Sequence, residues 1–188
     1  MARTESKMLA LGTAAPNFSL LDTLSGNTLD LKIMTGSNGT VIMFICNHCP
    51  FVIHVDLEIS KIAKEYTNKG FGFIAISSND VVNYPQDSPE LMKIKAKEED
   101  YTFPYLYDET QEVAKAYDAS CTPDFYLFDN GLELVYRGQL DDSRPGNGLE
   151  LTGRDLRKAM DGILAGSPLL NHQKPSIGCN IKWKRKKV

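Results

Sequence analysis

A strand–helix–strand unit in the first half of the chain limits its fold more than any other feature. Residues 40–45 form a continuous apolar run, which is typical of a central strand buried on both faces. Apolar side chains then recur at helical spacing over residues 50–68, and Gly70 suits a left-handed helix end. Residues 71–77 read as a second buried strand. Two such strands joined by a helix indicate a parallel pair with a right-handed crossover.

The remaining segments predict an α/β fold with a mixed central sheet. Asn130-Gly131 stands between two apolar segments, which is typical of an antiparallel hairpin. A parallel half, followed by this hairpin and a closing helix, gives a sheet flanked by helices on both faces. Strands are predicted for residues 17–21, 28–31, 104–108, 125–129 and 132–136, and helices for residues 88–99, 109–117 and 153–164.

Length and charge narrow the class of protein. The 188 residues favour one domain, predicted over residues 1–170, with residues 171–188 as a C-terminal tail that is basic at its end. The net charge of -3 predicts no nucleic-acid or membrane partner. No apolar stretch has the length of a signal-peptide core or a membrane span, so a cytoplasmic location is expected. No phosphate loop or dinucleotide fingerprint is present, so no bound cofactor is expected.

The segment Cys46-Asn47-His48-Cys49-Pro50 lies where the first strand of the unit ends and its helix begins. Unpaired N–H groups and the helix dipole favour negative charge there, and they lower the pKa of a nearby thiol. Four cysteines in this chain do not make a disulfide scaffold, so a close pair is expected to be catalytic, regulatory or metal-binding. Spacing and placement favour a redox-active pair over a zinc knuckle or a pair of inert thiols.

The order of elements and motifs resembles the thioredoxin fold over residues 12–165. More narrowly, it resembles the peroxiredoxin-like branch called the alkyl hydroperoxide reductase/thiol-specific antioxidant family. The resemblance rests on the paired cysteines, on Thr122-Pro123, on the closing hairpin and on an entry segment at residues 15–22. It implies N-terminal strands and a helical insertion as in peroxiredoxin-like proteins. It also implies that Pro123 is cis, and that Thr122 and Pro123 bind an extended substrate chain beside the cysteines.

The same geometry gives the motif residues distinct expected roles. Cys46 is expected to be the exposed, attacking thiol, and Cys49 is expected to resolve the mixed disulfide. His48 is a candidate for tuning their pKa, because a partly positive imidazole stabilises a neighbouring thiolate and so the dithiol over the disulfide. His48 could instead be a solvent-exposed imidazole with little effect.

Two further cysteines lie outside the motif. Cys121 is two residues before the expected cis-proline, so the fold should bring it near the pair as a third redox thiol. It could instead be a metal ligand together with Cys46, Cys49 and His48, or a small buried hydrophobic residue. For Cys179 a packing role is favoured over that of a distant resolving cysteine.

These features predict an enzyme, a thiol–disulfide oxidoreductase with a general antioxidant or redox role. Its expected partners are a protein or small-molecule thiol or disulfide, and a separate reductase or thiol that donates electrons. A second hypothesis is a thiol-dependent peroxidase, although Met43 stands where peroxidases of the family carry a threonine, three residues before the cysteine. A metal-binding module through Cys46, Cys49 and Cys121 is a third hypothesis, and a structural adaptor without a redox cycle is a fourth.

Overall fold

The computed structural model describes residues 3–167 and 172–185. Within them, the main sheet has seven strands in the order β3-β2-β6-β5-β4-β8-β9. These strands are β2 (Ser19–Asp22), β3 (Thr28–Asp30), β4 (Gly39–Phe44), β5 (Phe71–Ser77), β6 (Tyr105–Tyr107), β8 (Asp124–Asp129) and β9 (Leu134–Gly138). The helices are α1 (Pro50–Thr67), α2 (Pro89–Glu98), α3 (Glu112–Ala116) and α4 (Arg154–Leu164). The mixed α/β architecture predicted from the sequence is confirmed.

The strand–helix–strand unit forms the centre of this sheet. Strand β4 pairs in parallel with β5 and antiparallel with β8, and all six of its residues are buried. This explains the uninterrupted apolar run, because a strand covered on both faces has no solvent side. Helix α1 packs an apolar stripe that includes Val55, Ile59 and Ile62 against the sheet. Burying each such side chain contributes about 1.5–3 kcal/mol.

Two elements of the structure begin at a later residue than the sequence predicts. Strand β9 begins at Leu134, because Leu132 takes a left-handed conformation with φ of 60° and the hairpin loop is longer than two residues. Helix α3 is shorter than predicted, since Gln111 precedes it with φ of 64° and the segment before it is a turn closed by Asp108. Backbone with positive φ cannot continue a right-handed helix.

A second sheet was not predicted. It has three strands, β1 (Arg3–Glu5), β10 (Ile177–Asn180) and β7 (Cys121–Thr122), in the order β1-β10-β7. Strand β10 comes from the predicted tail and is antiparallel to both neighbours. The predicted boundary between residues 170 and 171 lies outside the described residues, as do residues 186 and 187 of the basic segment at residues 182–187.

Candidate redox site

The end of β4 and the start of α1 position the cysteine pair. Cys49 is the N-cap residue of α1, with extended backbone, and Pro50 takes the first helical position. Proline is favoured there because its fixed φ fits the helix and its missing N–H costs no hydrogen bond. Cys46 lies just beyond the end of β4. The four cysteines are buried free thiols.

Both sulfurs of the pair contact Thr122 on strand β7. Cys46 Sγ lies 3.5 Å from Thr122 Oγ1, and Cys49 Sγ lies 3.1 Å from the Thr122 carbonyl oxygen, to which its thiol donates. The peptide bond between Thr122 and Pro123 is cis. The structure therefore brings together Cys46, Cys49, Thr122 and Pro123, although they are more than 70 residues apart in sequence.

The two sulfurs differ in acidity. The hydrogen bond to Cys49, burial and the charge of Asp87 raise the pKa of the Cys46 thiol well above its ordinary value. The hydrogen bond from Cys46 lowers the pKa of Cys49 to about 5 despite burial, and Cys179 and the Val52 N–H act in the same direction. The Thr122 carbonyl opposes this, because it favours the protonated thiol. The first proton to leave the pair is that of Cys49.

This result differs from the expectation that Cys46 is the exposed thiolate. Cys46 is 1% exposed and Cys49 is fully buried. The helix N-terminus acts on Cys49 rather than Cys46, since Cys49 is the N-cap residue of α1. Cys46 lies three residues before the N-cap position, beside the carboxylate of Asp87.

Asp87 is a member of the site that sequence reasoning missed. Its carboxylate is fully buried and accepts hydrogen bonds of 2.8 Å from the Asn47 N–H and from Asn79 Nδ2. Its charge raises the pKa of Cys46. Asp87 stands in a short polar segment between Pro85 and α2, and a residue in such a segment gives no local signal of burial.

His48 faces the same carboxylate. Its Nδ1 atom lies 2.7 Å from Asp87 Oδ2, and its ring stacks on Tyr84 at 5.7 Å between centroids and 6° between planes. The side chain is 15% exposed, so it is neither a free surface imidazole nor part of the core. In its protonated form it would offset the negative charge that Asp87 places beside Cys46.

The predicted metal set is not the one that the fold assembles. Among the described residues, the group with ligand atoms within 4.8 Å of one another is Cys46, His48 and Asp87. Cys121 lies apart from it, with its sulfur 3.9 Å from the Pro123 carbonyl oxygen and 4.0 Å from that of Ser176. Burial raises the pKa of the Cys121 thiol. A buried thiol with a raised pKa is typically inert and serves neither as a metal ligand nor as a nucleophile.

Cys179 lies at the site, although its sequence position gave no indication of this. Strand β10 places it opposite Thr122, in the same buried cluster as Cys46 and Cys49, and its thiol and backbone N–H lower the pKa of Cys49. Cys49 Sγ is thus enclosed by Cys46, Cys179 and the Thr122 carbonyl. The Cys46 sulfur instead neighbours Thr122 and the polar group formed by His48 and Asp87.

With this geometry established, comparison with known proteins identifies the family. The sequence profile described as Redoxin matches residues 10–151, which is most of the chain. The chain belongs to the Redoxin family. A comparison with curated proteins found no match.

Solved structures agree with the Redoxin assignment. A crystal structure described as an uncharacterized conserved protein from Geobacillus kaustophilus is 58% identical and has a TM-score of 0.98, covering 100% of this chain and 99% of that one. A protein from Sinorhizobium meliloti is 46% identical with a TM-score of 0.93, covering 96% and 98%. The thioredoxin domain of a thiol-disulfide oxidoreductase from Bacteroides vulgatus is 20% identical with a TM-score of 0.62, covering 80% and 97%.

The last of these similarities concerns the fold alone, and it confirms the predicted thioredoxin-like architecture. The resemblance to the alkyl hydroperoxide reductase/thiol-specific antioxidant family is confirmed at the level of the Redoxin family. The chain is thus a member of a thioredoxin-like redox family. In the described residues, no helix combines the length and apolar character needed to cross a bilayer.

Proposed function

We propose that this Redoxin protein is a thiol–disulfide oxidoreductase whose redox couple is Cys46 and Cys49. The observation that carries the proposal is that Thr122 contacts both sulfurs, with Cys46 Sγ 3.5 Å from its Oγ1 and Cys49 Sγ 3.1 Å from its carbonyl oxygen. Two sulfurs held against one residue need little movement to form a disulfide. The large difference in acidity between them keeps a thiolate in the pair at neutral pH.

The contacts support the following steps. Cys46 passes its proton along the hydrogen bond to Cys49 and attacks a substrate disulfide. The departing thiolate takes the proton from Cys49, and Cys49 then attacks the Cys46 sulfur. The second substrate thiolate leaves, and a Cys46–Cys49 disulfide remains. Cys46 is assigned the first attack because Cys49 Sγ is enclosed by protein groups on three sides.

Thr122 and Pro123 are proposed to hold the substrate chain. In the reduced structure the Thr122 carbonyl accepts a hydrogen bond from the Cys49 thiol. A disulfide has no thiol proton, so oxidation frees this carbonyl for a backbone N–H of a bound partner. A separate cytoplasmic reductase or small thiol is proposed to return electrons to the pair.

Trapping of the mixed disulfide tests both the couple and the order of attack. Cys49→Ser is expected to accumulate a disulfide between Cys46 and a model substrate such as oxidised glutathione, since the resolving sulfur is gone. The matched control is Cys46→Ser combined with Cys179→Ser, which leaves no thiol beside Cys49 to resolve an adduct, and it should not accumulate the equivalent adduct on Cys49. Accumulation on Cys49 would reverse the assigned roles. Failure of the unmodified protein to form any Cys46–Cys49 disulfide in a glutathione redox titration would refute the proposal.

Peroxide reduction by the same pair is a competing activity. The sequence disfavours it, because Met43 stands where peroxidases of the family carry a threonine, three residues before the cysteine. We therefore expect slow consumption of hydrogen peroxide. Rapid consumption that Cys46→Ser abolishes would favour a peroxidase instead.

Metal binding is a second candidate function, favoured by the juxtaposition of Cys46, His48 and Asp87. A thiolate, an imidazole and a carboxylate are suitable ligands for Zn²⁺. Equilibrium dialysis of the metal-stripped protein against Zn²⁺ tests it. One bound equivalent in the unmodified protein that is lost in Asp87→Asn would support this function, and equal weak binding by both would remove it.

A further inference from the structure

Strand β10 brings a third cysteine to the redox pair. In the antiparallel register of β10 and β7, Cys179 is the partner of Thr122. The neighbouring residue allows this close approach because it has no side chain: a Cβ atom added at Gly178 would meet the Thr122 carbonyl oxygen at 1.9 Å. The same carbonyl accepts the hydrogen bond of Cys49. Strand β10 thus lies directly beside Thr122, which contacts the sulfurs of both Cys46 and Cys49.

The side chain of Cys179 points into this site. It is 4% exposed and belongs to the same apolar cluster as Cys46 and Cys49. The sulfur of Cys49 lies 3.1 Å from the carbonyl oxygen of Thr122, which is the strand partner of Cys179, and the Cys179 thiol and N–H lower the pKa of Cys49. Cys49 therefore has a thiol partner on either side, Cys46 in its own loop and Cys179 on β10.

We propose that Cys179 is a third redox thiol, which attacks the Cys49 sulfur of the oxidised pair and moves the disulfide to Cys49–Cys179. This inference rests on the proposed function. In the step, the Cys46–Cys49 bond breaks, the Cys49–Cys179 bond forms, and the proton of Cys179 ends on the released Cys46 sulfur. The number of electrons held by the protein is unchanged, so no further oxidant is needed.

The arrangement suits the exchange because the sulfur of Cys49 has Cys46 on one side and Cys179 on the other. Exchange requires an attacking thiolate next to one sulfur of a disulfide, and β10 places Cys179 opposite Thr122, whose carbonyl oxygen lies 3.1 Å from the Cys49 sulfur, within one buried cluster. Burial, then the hydrogen bond to Cys49 and its charge, raise the pKa of Cys179 to about 12. The two effects of Cys49 disappear once it is in a disulfide, while the positive charge of Lys182 continues to lower the pKa.

The outcome of the exchange is an oxidised protein in which Cys46 is again a thiol. The oxidised state then has two isomers, and one of them retains the attacking group assigned to the first step. Such a protein can engage a second disulfide before it has been reduced. Cys121 does not serve this purpose, because its sulfur faces the carbonyl oxygens of Pro123 and Ser176.

The test uses Cys46→Ser, which leaves Cys49, Cys121 and Cys179. The variant is oxidised with diamide, acid-quenched, alkylated and digested without reduction, and linked peptides are identified by mass spectrometry. We expect the peptides of Cys49 and Cys179 to be joined and the free-thiol signal of Cys179 to be lost. Cys121 is the internal control and should stay alkylated. A Cys49–Cys121 bond, or a free Cys179 thiol throughout, overturns the inference.

The unmodified protein supplies a second measurement if Cys46→Ser fails to fold. Protein carrying one disulfide per chain is trapped with acid and N-ethylmaleimide, and its linked peptides are separated. We expect a fraction that joins Cys49 to Cys179 and carries the label on Cys46. Finding the single disulfide only between Cys46 and Cys49 overturns the inference and leaves the proposed function standing. If neither bond forms, the proposed function fails as well.

Discussion

The two flanks of the cysteine pair differ in charge and in origin. On the Cys46 flank, the buried Asp87 carboxylate accepts two hydrogen bonds and faces the His48 imidazole at 2.7 Å. On the Cys49 flank, strands β7 and β10 supply a carbonyl group and the thiol and N–H of Cys179. Two sulfurs three residues apart thus have opposite pKa shifts. The largest cause of both shifts is the interaction within the pair, and the neighbours that the fold supplies, Asp87 for Cys46 and Cys179 for Cys49, shift each pKa further in the same direction.

A second buried carboxylate, that of Asp124 at the start of β8, provides the largest expected effect. Burial raises the pKa of Asp124 to about 7 from 3.8, although hydrogen bonds from Tyr126 and Ser176 oppose it. Because the folded protein holds this proton more tightly than the unfolded chain, the native state loses stability as pH rises from about 4 to about 7, by up to about 4 kcal/mol. Asp124→Asn should not show this loss, and so should be the more stable protein at pH 8.

Urea unfolding of both proteins between pH 4 and pH 8 measures this difference. Subtracting one stability curve from the other removes the groups that the two proteins share. Parallel curves would mean that Asp124 is charged throughout this pH range, and would contradict the raised pKa.

Gly178→Ala is expected to disrupt the Cys49 flank. The added Cβ would meet the Thr122 carbonyl oxygen at 1.9 Å, so β10 or β7 must move. Overpacking of this kind costs about 1–3 kcal/mol of stability. Gly162→Ala is the matched control, since a Cβ there meets nothing within 4 Å and lies within helix α4. The control should gain about 0.5–1 kcal/mol. Equal urea midpoints for the two variants would contradict the close docking of β10.

Asp87→Asn tests the Cys46 flank. Removing the charge that raises the pKa of Cys46 should shift its alkylation profile to lower pH. The measurement is made in a Cys49→Ser background, so that one thiol of the pair titrates, with iodoacetamide and mass spectrometry. Asp124→Asn in the same background is the control, because Asp124 is not among the groups that shift Cys46. A shift to higher pH would refute the effect assigned to Asp87.

His48→Ala should produce the smallest change. Loss of the imidazole leaves the charge of Asp87 less compensated, which destabilises the thiolate state and so the dithiol. The redox potential should become more negative by no more than about 30 mV, which corresponds to about 1.4 kcal/mol for a two-electron couple. His54→Ala is the control, since His54 lies on α1 but pairs with Ser143 at 2.8 Å. A less negative potential would show that His48 opposes the thiolate.

Elements defined by short-range patterns could be predicted from the sequence. Strand β5 was predicted at its observed bounds, and α1 to within one residue of its end. Apolar periodicity and proline at the helix start act over a few residues, so they are visible locally. The predicted starts of α3 and β9 were wrong. The backbone has positive φ at Gln111 and Leu132, and this conformation depends on the turn around each residue.

The sequence by itself determined the Redoxin architecture, the placement of the cysteine pair at a strand–helix junction and the neighbourhood of Thr122 and Pro123. Tertiary structure alone decided that Asp87 and Cys179 meet the pair from opposite sides. These contacts span 41 and 130 residues of chain from Cys46 and Cys49, respectively. Acidity depends on burial and on charges within a few ångströms, so it is set by neighbours in space that no spacing of residues along the chain reveals.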